Sequence, residues 1–413
     1  MTSMTDSSIE IPDFADPATY IDGAPHEALD ELRARPGLYW QEASEGTYNG
    51  GFWVVTRYKD IVEIEQQHTI FSSVPGAFFP LANMGGDGPM SKHILFMDPP
   101  EHSRVRRVAM KSFGPRVVAR FDDWIREITN ETLDEALALG TFDWIDDVAR
   151  LIPSRVIAAV MGVPRELRGQ VVDWSDAIFT GQVNQDDDGA AMAQAFEEVN
   201  VYMAQLGQEK LRDPQDDMVT VIAQALDRGE IDEGEYAMYV TALLIAGYET
   251  THTLIGQSMR LIVEDDDVRR ACARAFDAGE FNAVVEEFLR VVTPAMNVTR
   301  TATEDVDFHG QTVRRNDTMQ LMLIAGNRDP EVFTDPHRFN PSRPRVNPLA
   351  GGDGLAFGSG LHRCVGNVLA KMDSRIVFEE LHRREVRLEL AGEPRRGWST
   401  LINQLLSLPV RVA

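Results

Sequence analysis

Apolar positions recur along this chain with two different periods. In RFDDWIREITNETLDEALAL, from Arg120 to Leu139, and in EYAMYVTALLIAGYETTHTLIGQSMRLIV, from Glu235 to Val263, they fall three and four residues apart, which predicts helices. GFWVVTRYKDIVEI starts with aromatic and β-branched residues and turns helical after Tyr58, so it reads as a strand running into a helix. Helical segments dominate to about Val292. Beyond Pro294 the pieces NVTRTA, VDFHGQTV and DTMQLML are short and β-like, and a Pro/Gly-rich meander from Asp329 to Gly354 follows. The last long periodic run, VGNVLAKMDSRIVFEELHRR from Val365, ends in basic residues that suit a helix C-terminus. The pattern predicts a mainly α protein with a small β-rich part. No linker or repeat interrupts it, so residues 1–413 are expected to form one domain, with roughly the first 20 as a flexible arm.

Composition narrows the function classes. The 413 residues are 43% hydrophobic, and the net charge is −25 with a pI near 4.7. Such an acidic chain is a poor general binder of nucleic acid or of anionic membranes. No stretch offers the roughly 18 apolar residues of a membrane span, and the N-terminus lacks the basic start and apolar run of a signal peptide. The expected location is the cytoplasm, with neither a membrane nor nucleic acid as partner. Two cysteines, Cys272 and Cys364, cannot build a disulfide framework. Cys272, in the helical RRACARAF, is expected to pack.

Cys364 has different surroundings. In LAFGSGLHRCVGNVLA the glycines Gly358, Gly360 and Gly366 suit a tight turn that brings backbone close to something flat or bulky. The loop leads into the last helix, whose N-terminal N–H groups favour thiolate over thiol. These surroundings alone allow an inert buried cysteine, a nucleophile or a metal ligand.

Phe357-Gly358-Ser359-Gly360-Leu361-His362-Arg363-Cys364-Val365-Gly366 resembles the haem-binding segment of the cytochromes P450. The resemblance implies the P450 fold, a helical body with haem b (iron protoporphyrin IX) between a long central helix and the cysteine loop. It makes Cys364 the axial iron ligand, with Phe357 beside the sulfur and His362 on a haem propionate. Other segments match in the expected order from about Gly51 onward. EEFLR resembles the family's Glu-x-x-Arg motif, implying that Glu287 and Arg290 form a buried structural pair, with Arg338 or Arg343 as third member. AGYETT, Ala246 to Thr251, resembles the oxygen-activation motif, implying that Glu249 and Thr250 manage proton delivery. DPPEHSRVRR and NVTRTA imply propionate contacts from His102, Arg106 and Arg300.

The resemblance also implies a soluble bacterial monooxygenase that uses O2 to hydroxylate a hydrophobic small molecule, a terpenoid, a steroid or an alkyl compound. Electrons would come from an acidic 2Fe–2S ferredoxin and its reductase, docking on a basic face that includes Arg104, Arg107, Lys111, Arg116 and Arg363. Substrate contacts are expected from Phe78, Phe79 and Leu81, from Ile178 and Phe179, and from Ala246. Ala295, Met296 and Val298 would join them, with Leu401 and Ile402. Two rivals are a peroxide-driven peroxygenase and a non-catalytic haem protein that binds a small ligand. The Glu249–Thr250 pair argues against both, because neither needs protons delivered to dioxygen.

Overall fold

The computed structural model describes residues 9–43, 47–78, 85–88, 90–183, 190–344 and 354–413. Its centre is the helix Glu233–Glu264, apolar on most of its circumference and therefore buried. Asp232 starts it with a reciprocal cap: its carboxylate accepts the Glu235 N–H at 2.8 Å, and Glu235 accepts the Asp232 N–H at 2.9 Å. Helices Phe121–Ala138, Leu151–Val160, Arg168–Val183, Ala190–Arg212 and Phe281–Val292 surround this axis. Together with Asn367–Arg383 they bury the largest apolar core.

The β part sits to one side. A five-stranded sheet runs in the order Tyr39–Glu42, Gly51–Val55, Thr318–Leu321, Val298–Ala302, Phe71–Ser72. Gly51–Val55 pairs parallel with Thr318–Leu321, and the other pairings are antiparallel. Strand-to-helix conversion after Tyr58 occurs as the pattern requires, in the helix Tyr58–Gln66. Helix Phe281–Val292 ends at Thr293, which takes a left-handed φ of 44° ahead of Pro294. This turn sends the chain from the helical body into the sheet.

The expected N-terminal arm is corrected over its described part. Phe14 is 0% and Tyr20 2% exposed, packed with Leu29, Phe52 and Val54. Two large aromatic rings gain enough by burial to order an otherwise polar segment. No helix among the described residues is long and apolar enough to cross a membrane.

The link into helix Glu101–Ser112 carries a pH-sensitive contact. His93 Nδ1 accepts the Leu95 N–H at 3.2 Å, which requires a neutral ring, and burial pushes the imidazole down to about 4. Between the ordinary value of 6.5 and about 4, the unfolded chain therefore binds more protons than the native one. His93's contribution is intact above pH 6.5 and is lost as the pH falls towards 4. Thermal unfolding across that window should show a shallower acid-side decline in His93→Asn than in wild type, by on the order of 1–3 kcal/mol at the acid end.

Candidate active site

The cysteine loop is pinned from beneath by helix Tyr58–Gln66. Gly358 and Gly360 have φ of 65° and 64°, and a Cβ on Gly360 would lie 2.3 Å from the Glu65 carbonyl oxygen. Only glycine fits there. The Glu65 carboxylate accepts both the N–H and the hydroxyl of Ser359 at 2.8 Å. Cys364 donates its N–H to the Phe357 carbonyl at 2.9 Å, and the Lys371 ammonium lies 5.7 Å from the Phe357 ring centroid. Gly366 has an ordinary φ of −81°, and a Cβ there would meet Cys364 Sγ at 3.8 Å, an ordinary contact, so neither conformation nor space requires glycine at this position. The Cys364 side chain retains accessible surface. Burial pushes its thiol up, and the Gly366 and Asn367 N–H groups with Arg106 and Arg363 oppose this only in part. The N–H groups at the helix end act towards the thiolate, as expected from the sequence, against the cost of burial, and a metal bound at the sulfur would add to them.

Four cationic or imidazole side chains converge beside the loop. The His102 and His362 rings lie 4.2 Å apart. Burial, then Arg106 and Arg300, push His102 down to about 4; burial, Arg300, His102 and Arg106 push His362 to about 2. Both His102 nitrogens and His362 Nε2 are buried without a hydrogen-bond partner. Arg300, 4% exposed, has Glu65 at 3.5 Å. Burial pulls the Arg300 and Arg106 guanidiniums down and raises the Glu65 carboxyl. One carboxylate cannot neutralise such a cluster, and unpaired buried charge is costly. A group bringing two carboxylates over a cysteine sulfur fits this set of donors, and haem with its two propionates is such a group.

On the central helix, Thr250 Oγ1 donates back to the Ala246 carbonyl at 3.0 Å, the local competition with the helix ladder that threonine favours. Ala246 is exposed and Thr250 half-buried, whereas Tyr248, Glu249 and Thr251 are buried. Glu249 is 4% exposed and neither carboxylate oxygen has a hydrogen-bond partner. Beside it is His252, whose Nδ1 lies 3.6 Å from Glu249 Oε2 and whose ring stacks on Tyr248.

The sequence profile described as Cytochrome P450 matches residues 281–387. A steroid C26-monooxygenase of Mycobacterium tuberculosis is 30% identical over 94% of this chain and 90% of its own length. The chain is a cytochrome P450. It is also 29% identical to a linalool 8-monooxygenase of Pseudomonas putida, across 97% of this chain and 99% of that one. The crystal structure of CYP108D1 from Novosphingobium aromaticivorans superposes with a TM-score of 0.84 at 30% identity, covering 98% of this chain and 99% of that one. The protein therefore has the P450 fold and is a haem-iron monooxygenase, an oxidoreductase that incorporates one atom of O2 and acts on hydrophobic substrates.

The remaining residues singled out in the sequence fall into place in this P450, with corrections. Glu287 and Arg290 are 5% and 2% exposed and joined by two hydrogen bonds of 2.7 and 2.9 Å. The third side chain is Arg343, 3.5 Å from Glu287. Arg338 is not that member: its side chain is exposed, and only its carbonyl takes part, accepting from Arg290 and Arg343. The basic face is also less free than its local sequence suggests. Arg104 pairs with Glu235, Lys111 with Glu230 and Arg120 with Asp216, acids far away along the chain. Arg107 and Arg116 remain exposed.

Among the expected substrate contacts, Ala295 bridges Ile402, and the Met296 N–H reaches the Leu401 carbonyl at 2.7 Å. The two segments are thus one unit, with Val298 half-buried at its edge. Met296 and Ile178 are 1% exposed members of apolar cores, so their side chains pack rather than line a hollow. Phe78 packs edge-on to Phe96. Phe79 and Leu81 lie outside the described residues, as does the Phe179 side chain. Sequence reading missed Glu65, which holds both Ser359 and Arg300. One acid in an amphipathic helix carries no signal of a partner far along the chain.

Proposed function

We propose that this P450 hydroxylates a terpenoid- or steroid-like molecule with electrons from an acidic 2Fe–2S ferredoxin and its reductase, as a single domain in the cytoplasm. The cofactor is haem b, which supplies the oxidation when bound. Cys364 Sγ would ligate its iron, and His102, Arg106, Arg300 and His362 would hold the propionates. Phe357 and Gly358 shape the loop around the sulfur. Thr250 holds a proton at its hydroxyl on the central helix. The buried Glu249 carboxyl replenishes that proton, and His252 keeps the carboxyl in place. The observation that carries this reading is the half-buried Thr250 hydroxyl next to the buried Glu249 carboxylate, which among the described residues has no hydrogen-bond partner and only His252 at 3.6 Å. The names of the similar steroid C26- and linalool 8-monooxygenases support the substrate class. Arg107 and Arg116 are the exposed cations an acidic partner would meet, which should make electron transfer salt-sensitive.

The test is to screen terpenoids and steroids for a spin-state shift of the haem absorbance, then to turn the hits over with ferredoxin and reductase. Glu249→Gln should lower turnover roughly 10²-fold or more, the range of a lost proton donor. Thr250→Ala should leave consumption of reducing equivalents while product falls, and His252→Phe should act in the direction of Glu249→Gln, more weakly. Product from hydrogen peroxide alone, at the rate of the ferredoxin system, would instead identify a peroxygenase.

A further inference from the structure

A second cavity of about 800 Å³ lies apart from the cysteine loop, walled by the segment around His26, the Gln257–Leu261 turn of the central helix, helix Asp266–Asp277, the segment His337–Ser342 and Arg396. None of Cys364, Thr250, His102, Arg106, Arg300 or His362 borders it.

Its charge is opposite to that of the chain. Arg274, Arg328 and Arg396 come from three separate elements, and among the described residues none has a carboxylate oxygen within 4.0 Å. Arg328 is 8% exposed and donates only to backbone, to the Val291 carbonyl at 2.6 Å and the Ile324 carbonyl at 3.4 Å. Burial, then Arg290, pull it down to about 9. Burial and Arg260 pull Arg396 down as well, with Glu264 and Asp22 opposing. His26 lies well below its ordinary value through burial, then Arg328, His337, Arg33 and Arg396, so four cation-capable groups act on one imidazole.

Several of the bordering acids are already engaged elsewhere. Asp265 caps helix Asp266–Asp277 through the N–H groups of Asp267 and Val268, Asp267 pairs with Arg270 at 2.5 Å, and His337 is already taken by Asp30 at 2.7 Å. Asp22 and Glu280 remain on the wall.

Arg328 is buried, Arg396 half-buried and Arg274 exposed at the rim, and a buried guanidinium without a counter-ion is costly. In a chain of net charge −25, with acid available almost everywhere, the gathering of these arginines on one wall calls for an anion from outside. We propose that this cavity binds a small phosphate-bearing anion. Guanidinium forks match phosphate oxygens in pairs, and the wall presents arginines from three elements. The volume exceeds the needs of inorganic phosphate, and Leu261, Val268 and Ala271 provide an apolar side, so the ligand is a phosphomonoester of an organic molecule. The wall formed by His337–Ser342 includes the Arg338 carbonyl that accepts from Arg290, so occupancy would brace the chain ahead of the cysteine loop.

The experiment measures thermal unfolding of the haem-loaded protein while sodium phosphate, or glycerol phosphate in a second series, is titrated against sodium chloride at equal ionic strength. Saturable stabilisation by either phosphate beyond the chloride control is expected; glycerol phosphate binding more tightly would confirm the organic ester, and inorganic phosphate alone would reduce the site to free phosphate. Arg396→Ala and Arg274→Ala should each weaken binding about ten-fold or more, with Arg396→Lys intermediate. The carbon monoxide spectrum of each variant reports whether it folds around haem. Stabilisation equal to that by chloride, or unchanged in both alanine variants, would overturn the proposal.

Discussion

Cys364→His is expected to abolish the strongly red-shifted Soret band that the dithionite-reduced wild type shows with carbon monoxide, replacing it with a band like that of a histidine-ligated globin. The effect should be all-or-none, because electron donation from a thiolate is what places the band there. The thiol is pushed up by burial, and nearby N–H groups and arginines offset this only in part. Iron, when bound, would hold the sulfur as thiolate, since coordination deprotonates a thiol outright. Loss of the band with haem retained would confirm Cys364 as the working ligand. A variant that keeps the wild-type band would show that the sulfur at 364 is not on the iron, and the proposed oxygen chemistry would fall with it.

Glu287→Ala should be the most damaging substitution outside the cysteine loop. It removes the carboxylate that accepts from Arg290, from the Asn340 N–H and from Arg343. Two guanidiniums are left without their partner, one of them almost fully buried. Breaking a buried pair in this way costs about 3–5 kcal/mol, a large share of the ~5–15 kcal/mol that holds a typical domain. Denaturant unfolding of haem-loaded protein is the measurement, with haem loss as a second readout. Arg338→Ala is the control: its carbonyl remains and its exposed side chain contributes nothing to the trio, so stability should stay within about 0.5 kcal/mol of wild type. Equal losses in the two variants would mean that the segment, and not the ion pair, sets stability.

Much of this protein could be read along the chain because the features concerned are local. The periods of the central helix and of the last helix follow from side-chain spacing, and the positive φ at Gly358 and Gly360 follows from a turn too tight for a Cβ. Cys364, Glu249 with Thr250, and Glu287 with Arg290 each lie within one short segment of fixed spacing, so the residues carry their own context. What depended on distance in sequence stayed hidden. Arg104, Lys111 and Arg120 look like a free basic face until the fold brings Glu235, Glu230 and Asp216 against them. Arg338 and Arg343 are alike by sequence, and only packing decides which guanidinium turns inward. Phe14 and Tyr20 sit in a polar stretch, yet find apolar partners across the sheet. Glu65, and the cavity around Arg328 and Arg396, are made from elements hundreds of residues apart. Sequence determined the helices, the turn and the reactive groups, because backbone preference and periodicity act over a few residues. Tertiary structure alone decided which charges are neutralised and which remain unpaired, because an ion pair depends on distance in space.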